Sequence, residues 1–191
     1  MMMPTMPKRL APWLAALATT ILVPCAQAAA PQLLLPDREH PIMACFAEAA
    51  QAYQIPTEYL WAIGRVESRL NPRAQGKNKN GTRDLGVMQI NTSHLPTLRK
   101  YGINETRLLN EPCLNIHVGA WVLRGNIDRY GATWEAVGAY NASERRRDLR
   151  LVYAKKVHEQ LAFLVDWRNT QGQINSQPQE SKRVGTNKRA G

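Results

Sequence analysis

The chain has 191 residues, 44% of them hydrophobic and 21% charged, with a formal net charge of +10. That length and apolar share suffice for one domain with a real core, and the charge calls for an anionic partner: nucleic acid, an acidic membrane surface or an anionic polymer. No Cys-x-x-Cys pair exists, and His40, His94, His117 and His158 lack helical i,i+4 spacing. A zinc site is therefore not expected, nor is any other metal or cofactor.

Residues 1–28 read as a secretory signal peptide. Lys8 and Arg9 form a basic start, Leu10 to Val23 is an uncharged apolar run, and Ala26-Gln27-Ala28 supplies a cleavage pattern after Pro24. The run is shorter than the roughly 20 residues of a spanning helix, so no membrane span is expected after cleavage. Pro24 before Cys25 argues against a lipobox. Cleavage would remove Cys25 and leave Cys45 and Cys113, an even pair in an exported chain, which points to one disulfide. The loop it closes would be worth about 4 kcal/mol in the chain-entropy model. Loss of Lys8 and Arg9 leaves 23 basic against 15 acidic residues. Export argues against nucleic acid as the partner.

Residues 29–40 look like a short extended leader, and 41–168 form the expected domain, without internal repeats. The pattern is helical almost throughout, which makes the fold class all-α with no or minimal β structure. Ile42 to Tyr53 carries apolar residues at helical spacing. Pro56 suits the first turn of a second helix, with Leu60, Ile63, Gly64 and Val66 near one face, ended by Asn71-Pro72. Residues 71–84 are polar and turn-rich, so they read as a loop. A short helical piece is expected around Leu85 to Ile90. Asn104 is positioned to cap a short helix through Leu109. Pro112 to Tyr130 reads as a longer helix, with Leu114, Val118, Trp121 and Val122 on one side. Thr133 is placed to cap a helix carrying Trp134, Val137 and Tyr140. The last helix is expected from Leu149 to Trp167, with Leu151, Val152, Ala154, Val157, Leu161 and Leu164 inward. Residues 169–191 are polar and nearly free of apolar side chains, and read as a disordered tail.

Three short segments carry the chemistry. Glu67 continues the face of Leu60, Ile63 and Gly64, so it should point inward, where most glutamates do not go. Desolvation should raise its pKa and let it hold a proton near neutral pH, as a general acid in glycosidic cleavage must. Helix position alone leaves open a helix-end glutamate paired with Arg65 or Arg69. Leu85-Gly86-Val87-Met88-Gln89-Ile90-Asn91 places Gln89 and Asn91, amides suited to sugar hydroxyls and acetamido groups, around the flexible apolar Met88. A core turn with two surface amides is the simpler reading of that segment. Tyr140-Asn141 adds a phenol and a further amide. Trp61, Trp121 and Trp134, at helical spacing, read as core before sugar-stacking platforms. Arg145-Arg146-Arg147 reads as a solvated helix start able to attract an anionic polymer.

These segments, Glu67-Ser68, LGVMQIN at 85–91 and Ala139-Tyr140-Asn141, resemble the ES, GLMQI and AYN motifs of family-1-like lytic transglycosylases. The resemblance covers roughly residues 42 to 165. Cys45-Phe46 and Cys113 with Asn115-Ile116 and Gly119-Ala120-Trp121 are similar to small members that accompany conjugative type IV secretion, type III secretion and type IV pili. Arg69 stands where glycine is common, Val87 where leucine is usual, and Ser143 where glycine often follows the motif. The resemblance implies a lysozyme-like fold, peptidoglycan glycan strands as substrate and a periplasmic location. It makes Glu67 the catalytic acid and base, with Ser68, Met88, Gln89, Asn91, Tyr140 and Asn141 binding substrate. It also implies why a second carboxylate is dispensable: the muramic C6 hydroxyl, not water, closes the reaction. A hydrolytic goose-type-like lysozyme using Asp84 or Glu105, or a non-catalytic wall-binding assembly protein, are the competing readings.

Overall fold

The computed structural model describes residues 35–37 and 40–176. The expected signal peptide, most of the leader and residues 177–191 lie outside the described residues. Where the leader is described it is not extended: Pro36 and Asp37 form a turn that tucks Leu35 into the core. Asp37 accepts a 3.0 Å hydrogen bond from the Trp61 indole and faces Arg65 at 3.7 Å.

Helix α1, Met43–Tyr53, buries Met43, Cys45, Phe46, Ala49, Ala50 and Tyr53, one stripe at helical spacing. Helix α2, Thr57–Ser68, follows Pro56, which sits just before the first turn rather than in it. The two helices meet where Gly64 lacks a side chain; a Cβ there would lie 3.0 Å from the Phe46 ring. Helix α2 stops at Ser68, before Asn71-Pro72, because Arg69 and Leu70 turn left-handed at φ 54° and 65°. Only glycine adopts that conformation without strain, which is why glycine suits the position Arg69 holds.

The stretch expected to be loop and then helix is neither. Strands β1 (Gln75–Lys77), β2 (Arg83–Leu85) and β3 (Ile90–Asn91) form an antiparallel sheet in that order, with Gln75 opposite Leu85 and Asp84 opposite Asn91. Gly86 at φ 74° and Gln89 at φ 46° are left-handed, so residues 86–89 form a tight reversal, not a helical turn. Strands of two and three residues are too short to show alternation.

Two 3-10 turns, Thr92–His94 and Arg99–Tyr101, flank the short helix α3, Leu95–Leu98, and lead to α4, Glu105–Asn110, capped by the Asn104 side chain on the Arg107 amide at 3.0 Å. Helix α5 spans Pro112–Tyr130 and α6 spans Trp134–Gly138, with Thr133 capping the latter. Helix α7 runs Arg147–Ser176, beyond Trp167, so residues 169–176 are helical, not the start of a disordered tail. Its inward face is Tyr153, Ala154, Val157 and Leu164, whereas Leu151 and Val152 are exposed. The expected face was rotated because Tyr153 was not counted among the core.

Helix α1 packs on α5, α2 on α7, and α6 against both α5 and α7. The Cys45–Cys113 disulfide ties α1 to the first turn of α5, with Cα atoms 5.0 Å apart. Trp61 and Trp121 are core, while Trp134 is 42% exposed and flanked by Tyr59 and His158. No described helix is long and apolar enough to cross a membrane.

Candidate active site

The reversal between β2 and β3 is bolted in place by Asn115, a fully buried polar side chain of α5. Its Oδ1 accepts from the Met88 amide at 2.8 Å, and its Nδ2 donates to the carbonyls of Leu85 (2.8 Å) and Leu108 (3.1 Å). Gly86 makes room for it: a Cβ at Gly86 would lie 2.4 Å from the Asn115 Nδ2. Ser68 at the end of α2 donates to the Val87 carbonyl at 2.7 Å. The segment is thereby fixed against both helices.

This frame forms one wall of a cleft of about 1190 Å³, with Glu67, Asp84, Gln89, Asn91, Tyr140 and Asn141 among its lining. The volume exceeds the roughly 300–1,000 Å³ of a small-ligand pocket and suits an oligomer. Glu67 is half-buried at its wall, and its Oε1 accepts a 2.5 Å hydrogen bond from the Tyr153 phenol. Burial raises the Glu67 pKa to about 7; the Tyr153 bond opposes this, the Asp84 charge adds to it, and Lys156 lowers it slightly. The alternative pairing is ruled out, since Arg65 lies toward Asp37 and over the Trp61 ring, and Arg69 makes no ion pair among the described residues. Burial also holds the Tyr140 and Tyr153 phenols protonated, so both act as donors. Tyr140 donates to the Met88 carbonyl at 3.0 Å, and its ring stacks on Tyr153 at 6.3 Å.

Two expected binding residues serve elsewhere. The Met88 side chain is fully buried, filling the space left by Gly119, where a Cβ would come within 2.7 Å of it. Its thioether offers no face to a sugar. Ser68 is absent from the cleft lining and spends its hydroxyl on Val87. Gln89 and Asn91 do line the cleft, but their amide protons are committed. Gln89 Nε2 donates to Gly86 and Ala74 carbonyls, and Asn91 Nδ2 donates to Thr82 and Asp84. The Gln89 Oε1 is the acceptor these bonds leave over. Asn141 is exposed and lines the cleft.

Asp84 accepts from Asn91 on one oxygen (2.7 Å) and from Asn78 on the other (2.9 Å). Glu105 is outside the lining and ion-paired with Arg83. Two contributors were not read from the sequence. Tyr153 carried no motif signal. Arg150 is a buried cation that binds Glu135 at 2.6 Å and the Ala142 carbonyl at 2.9 Å, holding the Tyr140–Asn141 turn against α7.

The transglycosylase SLT domain matches residues 44–162, more than half of the chain. The chain belongs to the transglycosylase SLT domain family. As an SLT-group protein it is a lytic transglycosylase of peptidoglycan. It is 47% identical over 117 residues to Invasion protein IagB of Salmonella typhimurium, covering 60% of this chain and 73% of that one. It is 42% identical over 116 residues to Protein IpgF of Shigella flexneri, covering 60% and 76%. A solved structure of an inactive mutant of the lytic transglycosylase Slt from Pseudomonas aeruginosa superposes with a TM-score of 0.54 at 21% identity, covering 70% of this chain and 25% of that one. That likeness places the fold among the lysozyme-like domains. The match spans about a quarter of Slt.

Proposed function

We propose that this protein is an exported enzyme that cleaves the β-1,4 bond between N-acetylmuramic acid and N-acetylglucosamine and leaves a 1,6-anhydro end. The observation that carries the reading is Glu67: a carboxyl in a cleft wall, held by a phenol, with a pKa raised to about 7. Near neutral pH such a group is protonated often enough to donate and deprotonated often enough to accept. Glu67 delivers its proton to the linking oxygen as the bond to the muramic C1 breaks. The substrate's acetamido oxygen stabilises the cation. The Glu67 carboxylate then takes the proton of the C6 hydroxyl, whose oxygen bonds to C1 and closes the anhydro ring. No water enters the balance.

Ordinary glycosidases use two carboxyl groups. Here the second cleft carboxylate near Glu67, Asp84, has both oxygens occupied by amide donors, which supports its structural rather than water-activating use. Gln89, Asn91, Tyr140 and Asn141 shape the sites for the sugars. The periplasm is the fitting location for a wall enzyme with a cleavable start. The relative named an invasion protein supports local wall opening for a secretion or conjugation apparatus. Mass spectrometry of muropeptides released from purified sacculi tests the reading. Products one water lighter than hydrolysed muropeptides are expected; full-mass products would establish a hydrolase instead.

A further inference from the structure

The part of the cleft lining that does not come from the small sheet is rich in arginine. Arg145 and Arg146, from the 3-10 turn that enters α7, belong to it with Arg129 and Arg150. Their charges are not equally available. Arg150 is committed to Glu135 and Arg129 to Glu144 at 2.5 Å. Arg146 holds Asp148 through both Nε (3.2 Å) and Nη2 (3.0 Å), but both side chains are more than half exposed, so a second carboxylate competes for this fork at low cost. Arg145 has no hydrogen bond or ion pair among the described residues and is exposed. Arg147, the third of the run, does not line the cleft. The lining holds a second unspent group: Asn126 of α5 has a buried Nδ2 with no hydrogen-bond partner among the described residues.

A glycan backbone is neutral along most of its length. Its stem peptides are not: they hang from the muramic lactyl groups and carry free carboxylates. On the transglycosylase reading, we propose that Arg145 and Arg146 form a docking subsite for stem-peptide carboxylates, which makes the enzyme prefer peptide-bearing strands over stripped ones. Glu144 beside them repels the anion and keeps the subsite modest in strength. The guanidinium fork of each arginine matches a carboxylate in two parallel hydrogen bonds. A strand lying through the cleft past Glu67 would bring a stem to these arginines.

The test uses the full-length protein on two substrates, peptide-bearing glycan strands and the same strands stripped by an amidase. For wild type, KM should be lower on peptide-bearing strands by about three- to tenfold, the range two exposed ion pairs allow. In Arg145→Gln/Arg146→Gln the ratio should collapse toward one. Arg147→Gln removes an equal charge outside the cleft and should leave the ratio intact. The same comparison by co-sedimentation with Glu67→Gln protein reads binding alone, so the subsite is tested even if no cleavage occurs. A wild-type ratio near one, or equal loss from Arg147→Gln, overturns the proposal. Failure of cleavage with a preserved binding preference would instead count against the reaction assigned to Glu67.

Discussion

Replacing Tyr153 by Phe deletes one oxygen and leaves the ring that stacks on Tyr140. The phenol donates at 2.5 Å to Glu67 and is the largest influence opposing burial on that carboxyl. A hydrogen bond to a charged group is worth about 1.5–3 kcal/mol, and part of it also serves the neutral acid. A net loss of about 1.4 kcal/mol moves the pKa up by about one unit. Wild-type kcat/KM on solubilised peptidoglycan should fall about tenfold per pH unit above the Glu67 pKa of about 7, since the protonated acid is required first. In Tyr153→Phe that limb should shift to higher pH by about one unit, and the maximum should drop because the carboxyl loses its orientation. Initial rates of muropeptide release across pH would show it. A limb that stays put, or moves to lower pH, would refute the assignment of Glu67 as the group that burial and Tyr153 balance.

The remaining predictions concern stability. Asn115→Ala strands the Met88 amide and the Leu85 and Leu108 carbonyls, and should destabilise by about 3 kcal/mol, read by urea unfolding. Arg69→Gly relieves a left-handed residue at φ 54° and should raise stability by up to about 1 kcal/mol in the same assay; a loss would mean the arginine makes contacts that outweigh the strain. Glu67 retains its proton in the folded state from the ordinary value of 4.5 up to about 7. Stability should therefore fall as pH rises through that window, by at most about 3 kcal/mol, and Glu67→Gln should abolish that part of the slope.

Helices and the inward-facing Glu67 were legible because periodicity and caps are local. The stripe of α1, the Asn104 and Thr133 caps, and the bounds of α5 follow from neighbours within a few residues. Glu67 was legible because an acid on an apolar face is a local contradiction. The 85–91 segment was not, because its shape depends on Asn115, distant in sequence, and on left-handed backbone at Gly86 and Gln89. Where Met88 and Ser68 lie was hidden for the same reason: both are engaged by partners that only the fold supplies. Tyr153 sits 86 residues from the carboxyl it contacts, in a helix whose expected inward face did not include it. Arg150 belongs to the same class, since a buried cation cannot be told from a surface one until Glu135 and Ala142 are brought to it.

The central claim is that one carboxyl performs both proton transfers. Glu67→Gln matches the side chain in size but can neither donate to the leaving oxygen nor recover a proton from the C6 hydroxyl. Soluble muropeptide release from purified sacculi should fall by more than the 10²–10⁴-fold of a single acid–base contribution, with the melting temperature unchanged or raised. Asp84→Asn, which removes the other cleft carboxylate near Glu67, should retain most of its turnover and still give the anhydro product. Near-native release by Glu67→Gln together with a dead Asp84→Asn would contradict the account.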